Sequence, residues 1–308
     1  MDSAKIIVYQ IGIMFILITF GFFLYKAKKF SEKGCKQLSD FVLTVVCPVL
    51  IFVSFQKEFD ERLVKGLITA FVMAVISHIV FIVMGAVLCG KSRGDDSVVE
   101  RFSAAYSNCG FLGIPLIEAI YGTDGIFFLT AYIAVFNIMS WTHGVMIMTD
   151  KISLRSSINA LKAPAVIATF AGIIFFVLQI FLPNIIIPPL NYIASLNTPL
   201  AMLISGMTIA RSDIKAALKK SGIYLTCFIK LLLGPFMIML LLIPFKADPV
   251  VSNTILISAA CPTAATSVMF AARYGKNSVY ASEIFAVSTI LSAITLPIIM
   301  LISEHFFN

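Results

Sequence analysis

Apolar runs of about 20 residues, the length a helix needs to cross a bilayer, recur along almost the whole chain, interrupted by short polar connections. This feature constrains the fold most. A helical run of that length matches the hydrocarbon thickness of a bilayer. A transmembrane β-barrel would instead alternate apolar and polar residues in short segments, and such segments are absent. Composition closes off a soluble alternative: 59% of the 308 residues are hydrophobic and only 13% are charged. That is more apolar surface than a soluble fold of this size can hide. The chain reads as an all-α integral membrane protein of ten transmembrane helices. The runs cover roughly residues 6–25, 38–55, 63–89, 98–121, 125–148, 163–181, 189–210, 222–244, 250–273 and 279–303.

The formal charge of +7 is a topology signal rather than a nucleic-acid footprint. Alternate connections on one side carry 17 of the 23 Lys and Arg, the other side carries 5, and Lys230 lies inside a run. The positive-inside rule places the rich side in the cytoplasm and both termini outside it. The basic side would also meet anionic lipid headgroups. "MDSAK" followed by an apolar run and then "KAKK" fits a retained first helix better than a cleaved leader. The six cysteines show no CxxC spacing and no histidine cluster, so neither disulfides nor a metal site are expected. No GxxxxGK[ST] loop occurs, so neither a nucleotide cofactor nor an ATP motor is expected within this chain.

Prolines recur at similar offsets. Pro48 and Pro199 are 199 − 48 = 151 apart, and Pro115 and Pro262 are 262 − 115 = 147 apart. These offsets predict two five-helix repeats, about 6–148 and 163–303. Because five is odd, the second repeat would be inverted relative to the first, an architecture common in secondary transporters. "NCGFLGIP" (Asn108–Pro115) lies ~15 Å into the fourth run, and "SAACPTAATS" (258–267) lies at similar depth in the ninth. Lipid cannot satisfy backbone groups freed by a break. Two breaks at matching depth therefore predict crossing helices 4 and 9 whose half-helix N-termini face an anion. Gly110 and Gly113 are expected to allow the close backbone approach of that crossing.

Several polar residues inside the runs have two readings each. Lys230 either serves the site as a countercharge or snorkels to the inner interface. His78 suits proton coupling or an interhelical hydrogen bond. Glu118, one turn past Pro115, is a proton acceptor or lines an outer vestibule. Asn137 either lines the cavity or ties helices together. Asn197 and Thr198 raise the same question beside Pro199. Thr263, Thr266 and Ser267 contact a ligand or back-bond to their own kinked helix. Glu283 reads as interfacial.

"NCGFLGIPLIEAIYG" at 108–122 resembles the signature of the auxin efflux carrier family. "CPTAATSVMFAARYG" at 261–275 and "VSTILSAITLP" at 287–297 resemble its C-terminal signatures. The resemblance runs over about residues 5–303 and is closest to bacterial members, because the long cytoplasmic loop of many plant carriers is missing. That family includes the plant PIN carriers and bacterial permeases for malate and other carboxylates. The resemblance implies a scaffold of spans 1, 2, 6 and 7 that carries a homodimer contact. It also implies a transport domain of spans 3–5 and 8–10 that moves like an elevator. Asn108 would hydrogen-bond a substrate carboxylate, while Pro115 and Pro262 shape the crossover. A basic residue before Gly-Pro, as Lys230 stands here, is frequent in the family. Some plant members carry an acid near the position of His78, so this chain departs from them where coupling would reside. Coupling by H+, no coupling, and a Na+-coupled carrier resembling bile-acid symporters remain open, with a receptor or intramembrane enzyme as a remoter class.

Overall fold

The computed structural model describes residues 3–90, 95–149 and 161–307. Lys91, Arg93, Lys151 and Arg155, which contribute to the predicted inner charge, lie outside the described residues. The helices are α1 (Ser3–Lys26), α2 (Glu32–Ser54), α3 (Glu61–Leu88), α4 (Asp95–Ala105), α5 (Cys109–Thr149) and α6 (Pro164–Val177). They continue as α7 (Ile187–Arg211), α8 (Ile214–Ala217), α9 (Ser221–Phe245), α10 (Pro249–Ala260), α11 (Thr266–Arg273) and α12 (Ser278–Phe307). Among the described residues, seven helices (α1, α2, α3, α5, α7, α9 and α12) have the length and hydropathy needed to cross a membrane.

Local sequence explains where these helices begin and bend. Ser31 caps α2 by accepting from the Gly34 N–H, Asp60 caps α3 at Arg62, and Asp248 caps α10 at Val250. Pro249 at the start of α10 brings a backbone angle already suited to a helix. Prolines deeper in the helices are handled differently. A proline lacks an N–H and crowds the carbonyl four residues back. Wide π-type turns at Val42–Val46, Cys109–Gly113 and Ile229–Leu233 each end two residues before a proline, at Pro48, Pro115 and Pro235. The extra residue in the turn relieves that clash without ending the helix.

Helix α5 is not a single rod. Gly122 combines φ 59° with an extended ψ, a conformation open essentially to glycine alone. A Cβ added at Gly125 would lie 2.6 Å from Ile117 Cγ2, so the chain folds back on itself at this point. Elsewhere two helices touch backbone to backbone. A Cβ at Gly206 of α7 would meet the Ile18 carbonyl of α1 at 1.9 Å, and one at Gly21 would meet the Leu203 carbonyl at 2.2 Å. Helix α2 packs on both α6 and α7, with the Phe55 ring seated over Gly172. An ion pair between Glu32 and Arg211 joins the start of α2 to the end of α7. The large apolar surfaces left exposed, such as Phe20 and Phe23 on α1 and Phe170 and Ile174 on α6, suit a lipid-facing wall.

Candidate functional site: a pair of broken helices

Helix α4 stops at Ala105 and α5 starts at Cys109; α10 stops at Ala260 and α11 starts at Thr266. The intervening segments run antiparallel to each other in the core. The Asn108 N–H donates to the Pro262 carbonyl (2.7 Å), and the Ala264 N–H donates to the Tyr106 carbonyl (2.9 Å). Ser107 and Thr263 form the isolated bridge between them. Tyr106, Ser107, Cys261 and Thr263 are fully buried, and Asn108 is 5% exposed. Unwound backbone inside a membrane must find partners within the protein. Here each break supplies the partners of the other.

This arrangement corrects two sequence-based expectations. Pro115 does not sit at the break: it lies in α5, beyond the π-type turn at Cys109–Gly113, which absorbs its effect. The segment facing Pro262 is Tyr106–Asn108, which contains no proline. Nor is Gly110 a point of close approach. A Cβ there would meet nothing within 4 Å, whereas one at Gly113 would lie 3.4 Å from Cys261 Sγ.

The pairing sorts four helix ends. α4 and α10 arrive with their carbonyl ends, which carry partial negative charge, and α5 and α11 leave with their amide ends, which carry partial positive charge. Each carbonyl end has a donor. Thr263 Oγ1 donates to the Ser103 carbonyl (3.3 Å), and Lys230 Nζ donates to the Ala259 carbonyl (3.0 Å). Lys230 also donates to Ser107 Oγ (2.5 Å) and stands over the Phe81 ring, 3.8 Å from its centroid. Its side chain is fully buried and its amine lies at the crossing, so it does not snorkel. Around the amide ends, polar atoms have no protein partner: Asn108 Nδ2, Thr266 Oγ1 and Ser267 Oγ, all shielded from solvent.

The remaining expected residues fall at varying removes. His78 is fully buried; its Nδ1 pairs with the Ala74 carbonyl (2.8 Å) and its Nε2 has no protein partner. Its ring centroid is 4.6 Å from that of Tyr132, whose hydroxyl reaches Ser107 Oγ (3.3 Å). Asn137 is half-buried and donates to the Ile133 carbonyl of its own helix (2.8 Å). Glu118 is exposed. Asn197 is buried, with neither side-chain polar atom paired. Glu283, near the start of α12, is 2% exposed and pairs with Lys220 (2.5 Å). Sequence reasoning passed over Ser107, Tyr132, Phe81 and Ser288, the last accepting from the Thr263 N–H (3.3 Å). No local spacing in the sequence set Ser107 apart from the other small residues of the stretch.

The family model described as "Membrane transport protein" matches residues 6–154 and 148–300. The chain belongs to this family, that of the auxin efflux carriers. Similar proteins include an uncharacterized transporter of Escherichia coli (strain K12), 22% identical over 302 residues, with 94% of this chain and 95% of that protein covered. An uncharacterized transporter of Methanothermobacter thermautotrophicus is 25% identical over 295 residues, with 92% and 94% covered. A Rhizobium meliloti protein named "Putative malonate transporter" is 23% identical over 301 residues, with 91% of each chain covered. The family and these relatives mark the chain as a multi-pass membrane transporter.

Proposed function

We propose that this protein is a secondary transporter that carries a small organic anion, a carboxylate, across the cytoplasmic membrane. One observation carries the reading. At the paired breaks, the amide ends of α5 and α11 lie beside shielded, unpartnered polar atoms of Asn108, Thr266 and Ser267, and the Lys230 ammonium stands at the same crossing. Such an assembly favours a carboxylate through helix-end charge and direct hydrogen bonds. The name of the Rhizobium relative supports the same substrate class. In this reading Asn108, Gly113, Pro262, Thr263 and Thr266 form or shape the site. Pro115 and Asn137 stand behind it, and His78 and Glu118 are the titratable groups available for coupling.

The reading extends to the architecture. α4 with the first arm of α5 forms one broken span, the second arm of α5 forms the next, and α10 with α11 forms the other broken span. Ten crossings result, arranged as two inverted halves with both termini outside the cytoplasm. Tyr121-Gly122 and Tyr274-Gly275 fit the repeat, at 275 − 122 = 153, because both glycines take positive φ where a half-helix ends. Spans 1, 2, 6 and 7 act as a scaffold with a homodimer contact. Spans 3–5 and 8–10 move against that scaffold like an elevator, driven by protons or by the substrate gradient alone. Uptake of labelled malonate and other mono- and dicarboxylates into proteoliposomes tests the proposal. Saturable flux is the expected result, and no saturable flux of any organic anion under a pH or sodium gradient would remove it.

A further inference from the structure

Lys230 is held in an unusual way for a buried cation. Among the described residues no carboxylate pairs with it. A buried ammonium normally needs such a partner to offset its lost hydration. Instead its three N–H directions have three other destinations: the Ala259 carbonyl, the Ser107 hydroxyl and the Phe81 ring face. The Ala259 carbonyl belongs to the last turn of α10, where partial negative charge collects. The Ser107 oxygen belongs to the opposite break. Carbonyl ends of broken helices and unwound backbone are the places where broken-helix transporters coordinate a dissociable cation.

We propose that Lys230 is a built-in cation, its ammonium filling with a covalently attached charge a monovalent-cation position made by the end of α10 and the first helix break. The proposal rests on the broken-helix transporter reading for its meaning, but its geometry is independent of the substrate. Two consequences follow. The intact protein has no need of sodium at this position, because the cation there is carried by the chain itself. Shortening the side chain exposes a latent site, lined by the Ala259 carbonyl, Ser107 Oγ and the Phe81 face, that a small cation from solution can occupy. Lys230 is thus a positioning residue for the paired breaks, and Asn108 adjoins the serine it holds.

Thermal unfolding of the purified full-length protein in detergent tests this, in buffers matched except for choline, sodium or methylammonium chloride. The unaltered protein is expected to melt at the same temperature in sodium and choline. Lys230→Ala is expected to melt lower in choline and to regain at least half of the loss, saturably, in sodium or methylammonium. Lys230→Met is expected to melt lower without such recovery, because the methionine stem fills the space and leaves no room for an ion. A saturable sodium-specific shift in the unaltered protein overturns the proposal. So does a Lys230→Ala variant that responds to small cations no more than Lys230→Met does. If Lys230→Ala does not yield folded protein in choline, purification in methylammonium decides: monodisperse protein obtained only with that cation supports the proposal, and equal failure in both overturns it. Loss of anion uptake in proteoliposomes would count against the transport reading and leave these melting curves unaffected.

Discussion

Where α4 ends, the carbonyl of Ser103 receives a hydroxyl from Thr263; where α10 ends, the carbonyl of Ala259 receives the ammonium of Lys230. The two breaks are close to symmetric in their backbone, each giving one N–H and taking one through a single bridge. They differ in their side-chain support. A neutral donor alone closes one helix end, whereas at the other a charged donor joins the Ser107 hydroxyl (3.4 Å). Gly85 and Gly234 are 234 − 85 = 149 apart, and Phe81 and Lys230 are 230 − 81 = 149 apart, offsets close to those of the paired prolines. If the proposed repeat holds, the amine of Lys230 rests on the ring at its own counterpart position. A backbone geometry shared by the two breaks carries a charged side chain at one of them only.

Four substitutions would break or sharpen this contrast. The largest effect is expected from Lys230→Met, which takes the charged donor from the Ala259 carbonyl and Ser107 and leaves them only the longer Ser107–Ala259 and Ser107–Tyr132 hydroxyl contacts (3.4 and 3.3 Å). Losing a charged, buried donor costs at least about 2 kcal/mol of stability, read as the largest fall in apparent melting temperature of the set. Asn108→Ala should act on binding instead of folding, because Asn108 Nδ2 has no partner in the protein. Malonate affinity should weaken about tenfold or more, the equivalent of about 1.4 kcal/mol, with the melting temperature nearly unchanged. Unchanged affinity for malonate and every other bound carboxylate would take Asn108 out of the site. Thr263→Val removes the neutral donor and should cost about 1 kcal/mol, visibly less than Lys230→Met. Equal losses for the two would dissolve the asymmetry. Lys57→Gln removes a partner of Asp124, far along the sequence from either break. It should cost under about 1 kcal/mol. A larger loss there would mean that the ends of the helices, and not the crossing, dominate stability.

The seven helices of membrane-crossing length and the irregular stretches around Asn108 and Pro262 were legible in the sequence, because hydropathy and proline depth are local properties. The exact break in the first half was not. Pro115 drew attention as the helix-disrupting residue, yet a π-type turn takes up its clash, while the true break at Tyr106–Asn108 has no proline to announce it. The depth of Lys230 was evident from counting residues, but its partners were not. Ser107 lies 123 residues away and Phe81 belongs to another helix, and only the folded bundle brings them together. The same holds for Gly110, whose open flank no spacing rule could distinguish from the contact made at Gly113.

The bridge between Ser107 and Thr263 has a consequence for how the protein breathes. Irregular segments usually exchange their amide hydrogens with solvent quickly, since few contacts hold them shut. The amides of Asn108 and Ala264 are irregular and yet bonded to each other's segments in the core. They should exchange only when the whole bundle opens, more slowly than amides near the ends of the regular helices. In hydrogen–deuterium exchange, the least helical part of the chain would then be among the last to take up label.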